Sequence, residues 1–227
     1  MGAKHFEVIC EIEPATRPDL TRVRHQVGLM SEIASSFLIP DNHIGRATVS
    51  SIAVAHEVAQ MGGSAIACLN ARDRNVLGFR RDLLTATAYG VDDFLFVYGD
   101  RPESGSRSDD LTVRTMIDEA RSFTASEHIG DVRIGVTTGL GRVPDWKRDA
   151  DRWFVQVSFS VDDLVAWRET TDFDGPVFAG VMVVASVTMA RKLAADIPQL
   201  RVPDTVVERV ERDPDAGGDD RAERVRE

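Results

Sequence analysis

The chain has 227 residues, enough for one domain with a sizeable core, and at 43% hydrophobic and 28% charged it has the balance of a globular protein. Its formal net charge of -10, with no Lys/Arg cluster to offset it, argues against a nucleic-acid partner, whose phosphates would be repelled. Cys10 and Cys68 are the only cysteines, and both sit in apolar runs without a neighbouring His or Cys. That argues against a disulfide framework and a structural zinc site, so no metal is expected, and it points to a reducing compartment. The opening Met1-Gly2-Ala3-Lys4-His5-Phe6 is no signal peptide and lacks the Ser/Thr of a myristoylation signal. No apolar run approaches the roughly 20 residues of a membrane helix. The expectation is a cytoplasmic protein with no membrane partner.

Short apolar runs alternate with segments of helical period almost from end to end. The runs are Phe6 to Ile12, Ile33 to Ile39, Ser64 to Leu69, Phe94 to Tyr98, Val132 to Val136, Trp153 to Phe159 and Val177 to Val184. Between the second and third, Val49, Ile52, Ala53 and His56 form a stripe that Gly62-Gly63 ends, which makes His56 a core histidine. Asp73 or Asn75 can cap the helix after the third run, and Arg72 and Arg74 beside them also suit an anionic ligand. Val113, Met116, Ile117 and Ala120 form the next stripe. Ser160 opens a helix with capping-box spacing to Asp163, and Ser186 caps one that carries Val187, Ala190, Arg191 and Ala194.

Seven strand–helix alternations imply a mainly parallel sheet. A very short eighth strand at Leu200-Arg201-Val202 would complete it, which favours an abbreviated (β/α)8 TIM-type barrel over an open doubly wound sheet. After Val136 only about ten residues, Val143 to Arg152 with Pro144 among them, precede the next strand, so one outer helix is stunted. The barrel is expected over residues 1–210 as a single domain. The charged, Gly-rich stretch from Glu211 onward (211–227) reads as a disordered tail.

In such a barrel the chemistry lies at the carboxyl ends of the strands and in the loops that follow them. Strand alternation sends Phe6, Val8, Cys10 and Ile12 toward the helices, and Glu11 and Glu13 into the barrel mouth. A carboxylate there is costly unless paired or protonated, and a raised pKa suits a proton donor; the alternative is a Glu13 solvated at the rim and a Glu11 held by an Arg. Phe94-Leu95-Phe96-Val97-Tyr98-Gly99-Asp100 ends a buried strand in an acid, which either caps the following loop or faces a ligand. Trp153, Val155, Val157 and Phe159 should meet helices, with Phe154, Gln156 and Ser158 inward. The Gln156 amide suits a heterocycle with mixed donor and acceptor edges, or a structural hydrogen bond. The loop Gly99 to Asp110 is long enough to act as a lid, and Gly139-Leu140-Gly141 is a weak dinucleotide fingerprint because Pro144 holds the third Gly position.

Several segments in register resemble the methylenetetrahydrofolate reductase family, closest to the reductase modules fused to homocysteine methyltransferases. They are Cys10-Glu11-Ile12-Glu13-Pro14-Ala15, Pro40-Asp41-Asn42 with Ala53-Val54-Ala55-His56, Leu69-Asn70-Ala71-Arg72-Asp73-Arg74-Asn75, Gly99-Asp100-Arg101-Pro102, Phe154-Val155-Gln156, Ala179-Gly180-Val181-Met182 and Val202-Pro203. The resemblance implies reduction of methylenetetrahydrofolate to methyltetrahydrofolate with NADH or NADPH as electron source, directly or through FAD. It implies Glu11 as the acid that protonates the pterin nitrogen while the methylene bridge opens to an iminium. Asp100 would act with it and contact the pterin, Gln156 and Asn42 would bind the substrate, and Cys68, Asn70, Tyr98, Gly99 and Thr138 would stand at the cofactor. Cys68 replaces the family's flavin-contacting His, Thr137-Thr138-Gly139-Leu140-Gly141 replaces its Tyr-Pro-Glu-x-His stretch, and the stunted helix is the one that carries contacts to the ADP half of FAD. These departures imply a member that holds flavin weakly or not at all, taking hydride directly from NADH or using a deazaflavin. Another folate or pterin enzyme on this barrel, or a non-catalytic folate-binding subunit, stays open, as does a homo-oligomer or partner subunit.

Overall fold

A computed structural model describes residues 7–13, 15–34, 36–196 and 202–212. Among them seven strands follow one another in the sheet in sequence order: β1 (Ile9–Glu11), β2 (Ser36–Ile39), β3 (Ser64–Asn70), β4 (Asp93–Val97), β5 (Arg133–Thr138), β6 (Arg152–Val155) and β7 (Val177–Ala179). The helices between and after them are α1 (Thr21–Met30), α2 (Ser51–Gln60), α3 (Val76–Ala88), α4 (Val113–Glu127), α5 (Val161–Thr170), α6 (Val187–Asp196) and α7 (Asp204–Arg212). This is an α/β fold on a parallel sheet, of the kind an incomplete TIM barrel presents. No described helix is long and apolar enough to cross a membrane.

The chain clusters into two compact units, Met1–Thr137 with Pro144–Trp153, and Thr138–Val143 with Phe154–Glu227. In the first unit, parallel pairing aligns Glu11 with Leu38 and Leu38 with Ile66, and Leu69 with Phe96 and Phe96 with Val136. Alternation therefore separates two faces. Phe37, Ile39, Ala67, Leu69, Phe94, Phe96, Ile134 and Val136 occupy one face, each at most 1% exposed. The helices cover it with Ile52, Ala55 and Val58 of α2, Phe79 and Leu83 of α3, and Met116, Ile117 and Ala120 of α4. Phe79 meets Phe96 edge to face, with ring centroids 5.4 Å apart. The other face carries Glu11, Leu38, Ile66, Cys68 and Asn70, with Glu11 and Asn70 as the last residues of their strands.

The helix starts follow their capping chemistry. The Asn75 side chain accepts from Gly78 N at 2.8 Å and starts α3, Thr112 and Thr115 form a reciprocal capping box at α4, and Ser160 accepts from Asp163 N at 3.1 Å at α5. Ser186 likewise accepts from Met189 N at 3.1 Å at α6. The β5–β6 connection is a single 3₁₀ turn, Asp145–Asp149, as the short spacing and Pro144 predict. Lys147 of this turn donates to Thr137 O at 2.7 Å, and Trp153 Nε1 donates to Lys147 O at 2.8 Å. At the opposite ends of the strands, Arg152 and Asp93, both buried, form an ion pair.

In the second unit, Phe154 and Phe178 stack with centroids 5.1 Å apart, and Gly180 N donates to Val155 O at 2.9 Å. A Cβ on Gly180 would stand 2.7 Å from that oxygen, so the close approach requires glycine. Trp167 Nε1 of α5 donates to Gly141 O at 3.1 Å, which ties down the Gly139-Leu140-Gly141 segment.

Several expectations are corrected. Glu13 does not enter a barrel mouth: β1 ends at Glu11, strand alternation ends with it, and the exposed Glu13 side chain pairs with Arg22 on α1. His56 is half-buried, not a core residue, and its ring stacks on Tyr89 with centroids 4.8 Å apart. Val54, Ala55 and Val58 take the buried places on α2 instead. The sixth and seventh strands stop at Val155 and Ala179 although apolar sequence continues beyond both. Glu211 and Arg212 close the helix α7, so the helical segment runs past the expected start of the tail. Residues 213–227, and Leu200 and Arg201 of the expected eighth strand, lie outside the described residues, while Val202 is not in a strand.

Candidate active site

Four strands of the first unit deliver polar groups at their carboxyl ends. Glu11 is the last residue of β1. Its residue surface is open to water, yet enough protein surrounds the carboxyl that desolvation pushes its pKa above the ordinary carboxylate value, with the His43 charge pulling the other way. Cys68 of β3 is buried, and desolvation raises its thiol pKa well above the usual value, helped by the nearby negative charges of Glu11 and Asp41. That thiol stays protonated at neutral pH, as an inert buried cysteine does.

Beyond β2 and β3 a half-buried network forms. Asp41 Oδ2 accepts from Asn70 N at 3.0 Å, Asn70 Nδ2 at 2.9 Å and Arg74 Nη1 at 2.6 Å. Asn70 Nδ2 also donates to Asp73 Oδ2 at 2.8 Å, and its Oδ1 accepts from Asp73 N at 2.9 Å. Arg74 reaches on to Asp82 at 3.0 Å. Burial opposes the Arg74 charge, but Asp41 and Asp82 outweigh it and hold its pKa above the ordinary value. Asn42 closes the network, donating from Nδ2 to Asp73 at 2.9 Å and exchanging hydrogen bonds with Thr48.

Gly99, after β4, has φ +91°, and a Cβ there would meet Asn70 Cβ and Oδ1 at 2.9 Å. Gly99→Ala therefore combines left-handed strain with a clash against a fully bonded side chain. It should cost about 1–3 kcal/mol in a denaturant titration, the range for residues forced into such backbone regions. Asp100 does not cap its own loop: its Oδ2 accepts from Ile44 N at 2.9 Å, in the 3₁₀ turn His43–Gly45 after β2. Glu103 N donates to Gly45 O at 2.8 Å, and Ser108 N donates to Arg72 O at 2.6 Å. The Gly99 to Asp110 loop is thus fastened at three points. Tyr98 is 45% exposed, and the Arg72 guanidinium lies over its ring, 4.4 Å from the centroid.

The structure thus brings together Glu11, Cys68, Asn70, Asn42, Gly99 and Asp100 of the residues selected from sequence. In the second unit, Gln156 is exposed and its backbone N donates to Thr138 O at 2.8 Å. Thr138 itself is buried, with its hydroxyl donating to Gly139 O at 3.3 Å. Sequence reasoning missed His43 and Asp41 as functional groups, although both lie within four residues of the end of β2, a placement like the one that selected Asp100 after β4.

The residues at the flavin positions do not fit a flavin. Both amide hydrogens of Asn70 are spent on Asp41 and Asp73, Cys68 offers only a buried protonated thiol, and Gly99 is wedged against Asn70. Tyr98 alone of the first unit's four keeps an open surface. Among the described residues, no group of three or more His, Cys, Asp or Glu is placed to hold a metal ion.

No family model matches the chain, and no curated protein matches it either. Solved structures do. An active-site mutant of Rhizomucor miehei beta-1,3-glucanosyltransferase in complex with laminaritriose aligns at 8% identity and TM-score 0.51, over 75% of this chain and 69% of that one. DHDPS from Cyanidioschyzon merolae with lysine bound aligns at 10% identity and TM-score 0.50, over 82% and 67%. A 2,3-dimethylmalate lyase of the PEP mutase/isocitrate lyase superfamily aligns at 14% identity and TM-score 0.46, over 93% and 83%. At these identities the first two share the fold alone with this chain.

Proposed function

We propose that the chain is an oxidoreductase that reduces methylenetetrahydrofolate to methyltetrahydrofolate, with NADH or NADPH giving hydride directly to the folate. The observation that carries this reading is Glu11, an acid at the carboxyl end of β1 whose pKa desolvation raises above the ordinary carboxylate value and the His43 charge lowers. Glu11 protonates the amine nitrogen as its bond to the bridging methylene breaks. The iminium left on the other nitrogen accepts hydride from the nicotinamide, which leaves as the oxidised form. Solvent then returns the proton to Glu11. Asp100, by fastening the turn that carries His43, positions the partner of the acid.

The test is loss of reduced-nicotinamide absorbance when methylenetetrahydrofolate is added to the purified protein, with and without FAD. The reading predicts turnover without FAD. Folate binding with no turnover in any combination would favour a binding subunit instead.

The acid also fixes a pH dependence. A proton donor works only in its protonated form, so turnover should fall as pH rises through the folded-state pKa of Glu11, above the ordinary 4.5. His43→Gln removes a charge that lowers that pKa, so the descending limb should move to higher pH. A limb that stays in place in His43→Gln would separate the two residues.

A further inference from the structure

Four arginines among the described residues are buried or half-buried: Arg72, Arg74, Arg121 and Arg152. Three of them have carboxylate partners: Arg74 with Asp41 and Asp82, Arg121 with Asp151, and Arg152 with Asp93. Arg72 forms no ion pair among the described residues, and its Nε is buried with no hydrogen-bond partner. An unmatched buried donor on a guanidinium is unfavourable, and a structural role would normally satisfy it. The acids nearby are engaged elsewhere: Asp73 with Asn42 and Asn70, Asp100 with Ile44 N, Glu103 with Arg46 and Asp109 with Arg107.

What holds Arg72 is the exposed ring of Tyr98, reinforced by Arg72 N donating to Tyr98 O at 3.3 Å. Arg72 lies two residues past β3 and Tyr98 one past β4, at the sheet end where parallel α/β proteins bind ligands. Stacking on an aromatic face fixes the plane of a guanidinium while leaving its N–H edge for an incoming acceptor. We propose that Arg72, seated on Tyr98, binds an oxyanion of a reacting small molecule, either a phosphate of the reduced nicotinamide nucleotide or a glutamyl carboxylate of the folate. The proposal rests on the reductase reading for its two ligands, but its test does not require turnover.

The full-length protein is titrated calorimetrically with ADP-ribose and, separately, with p-aminobenzoylglutamate. The wild type should bind one of them, and which one identifies the source of the oxyanion. Arg72→Met should weaken that binding at least about tenfold and flatten its salt dependence, and Arg72→Lys should restore part of it. Tyr98→Ala, which leaves the charge but removes its platform, should weaken the same ligand, and it serves as the second readout should Arg72→Met fail to fold. A wild type that binds neither probe, or Arg72→Met and Tyr98→Ala variants that bind both as the wild type does, overturns the proposal. Intact probe binding without folate turnover would instead count against the reductase reading.

Discussion

Glu11→Gln should abolish folate-dependent oxidation of NADH, with a fall of at least about 10²–10⁴-fold for loss of a general acid, while folate binding stays within a few-fold of the wild type. Glutamine keeps the shape and hydrogen-bonding capacity of the protonated acid but has no proton to deliver. Binding should therefore survive where catalysis does not. The same variant carries a stability signature whose sign follows from the pKa. The folded-state value of Glu11 lies above its ordinary 4.5, so the folded protein binds that proton more tightly than the unfolded chain. At neutral pH the ionised carboxylate then costs the fold some stability, and the cost disappears as pH falls below 4.5. Glu11→Gln should consequently melt slightly higher than the wild type at neutral pH and not at low pH. Full activity in Glu11→Gln would remove the proton donor from the account. Loss of activity with an equal loss of folate binding would leave only a binding role.

The second large effect concerns the network that positions the site. Asp41→Ala leaves the Arg74 guanidinium, 12% exposed, with one carboxylate in place of two, and strips two acceptor contacts from Asn70. Removing one partner of a buried ion pair costs about 3–5 kcal/mol, and the remaining Asp82 contact places the expectation at the lower end of that range. Asp41→Asn keeps the shape and an acceptor oxygen and should cost less. Denaturant titration of both variants measures this, with unchanged m-values showing that the folded structure is retained. A loss within about 0.5 kcal/mol for Asp41→Ala, the range of an ordinary surface substitution, would mean the network does not hold the site.

The parts of this fold visible in the sequence are those set by local rules. Alternation placed Glu11 opposite the helix-facing residues, and Pro144 with a ten-residue gap announced the short turn Asp145–Asp149. The caps at Asn75, Ser160 and Ser186 follow from side-chain oxygens that precede helical periods. Alternation failed where the strand itself stopped: Glu13 lies two residues past Glu11 but outside β1, and there α1 offers it Arg22. β6 and β7 are shorter than their apolar runs because apolar sequence continues after the strand has ended. The partner of Asp100 was out of reach for another reason. It is a backbone amide 56 residues away, in a turn whose Asn42 and Ile44 have positive φ, and no local pattern announces that meeting. The Asp41–Asn70–Asp73–Arg74 network is equally non-local, although each member was present in a segment already singled out. Arg72 illustrates the limit most clearly. Its suitability for an anion is legible in the sequence, but that no described carboxylate pairs with it can be seen only in three dimensions.

Transfer of a hydride straight from nicotinamide to the folate methylene is tested best by following the hydride itself. Protein purified free of flavin is given methylenetetrahydrofolate and NADH deuterated at the transferred position, and the product is analysed by mass spectrometry. The predicted result is methyltetrahydrofolate carrying one deuterium in its methyl group. Product without deuterium, or no methyltetrahydrofolate at all, would contradict it.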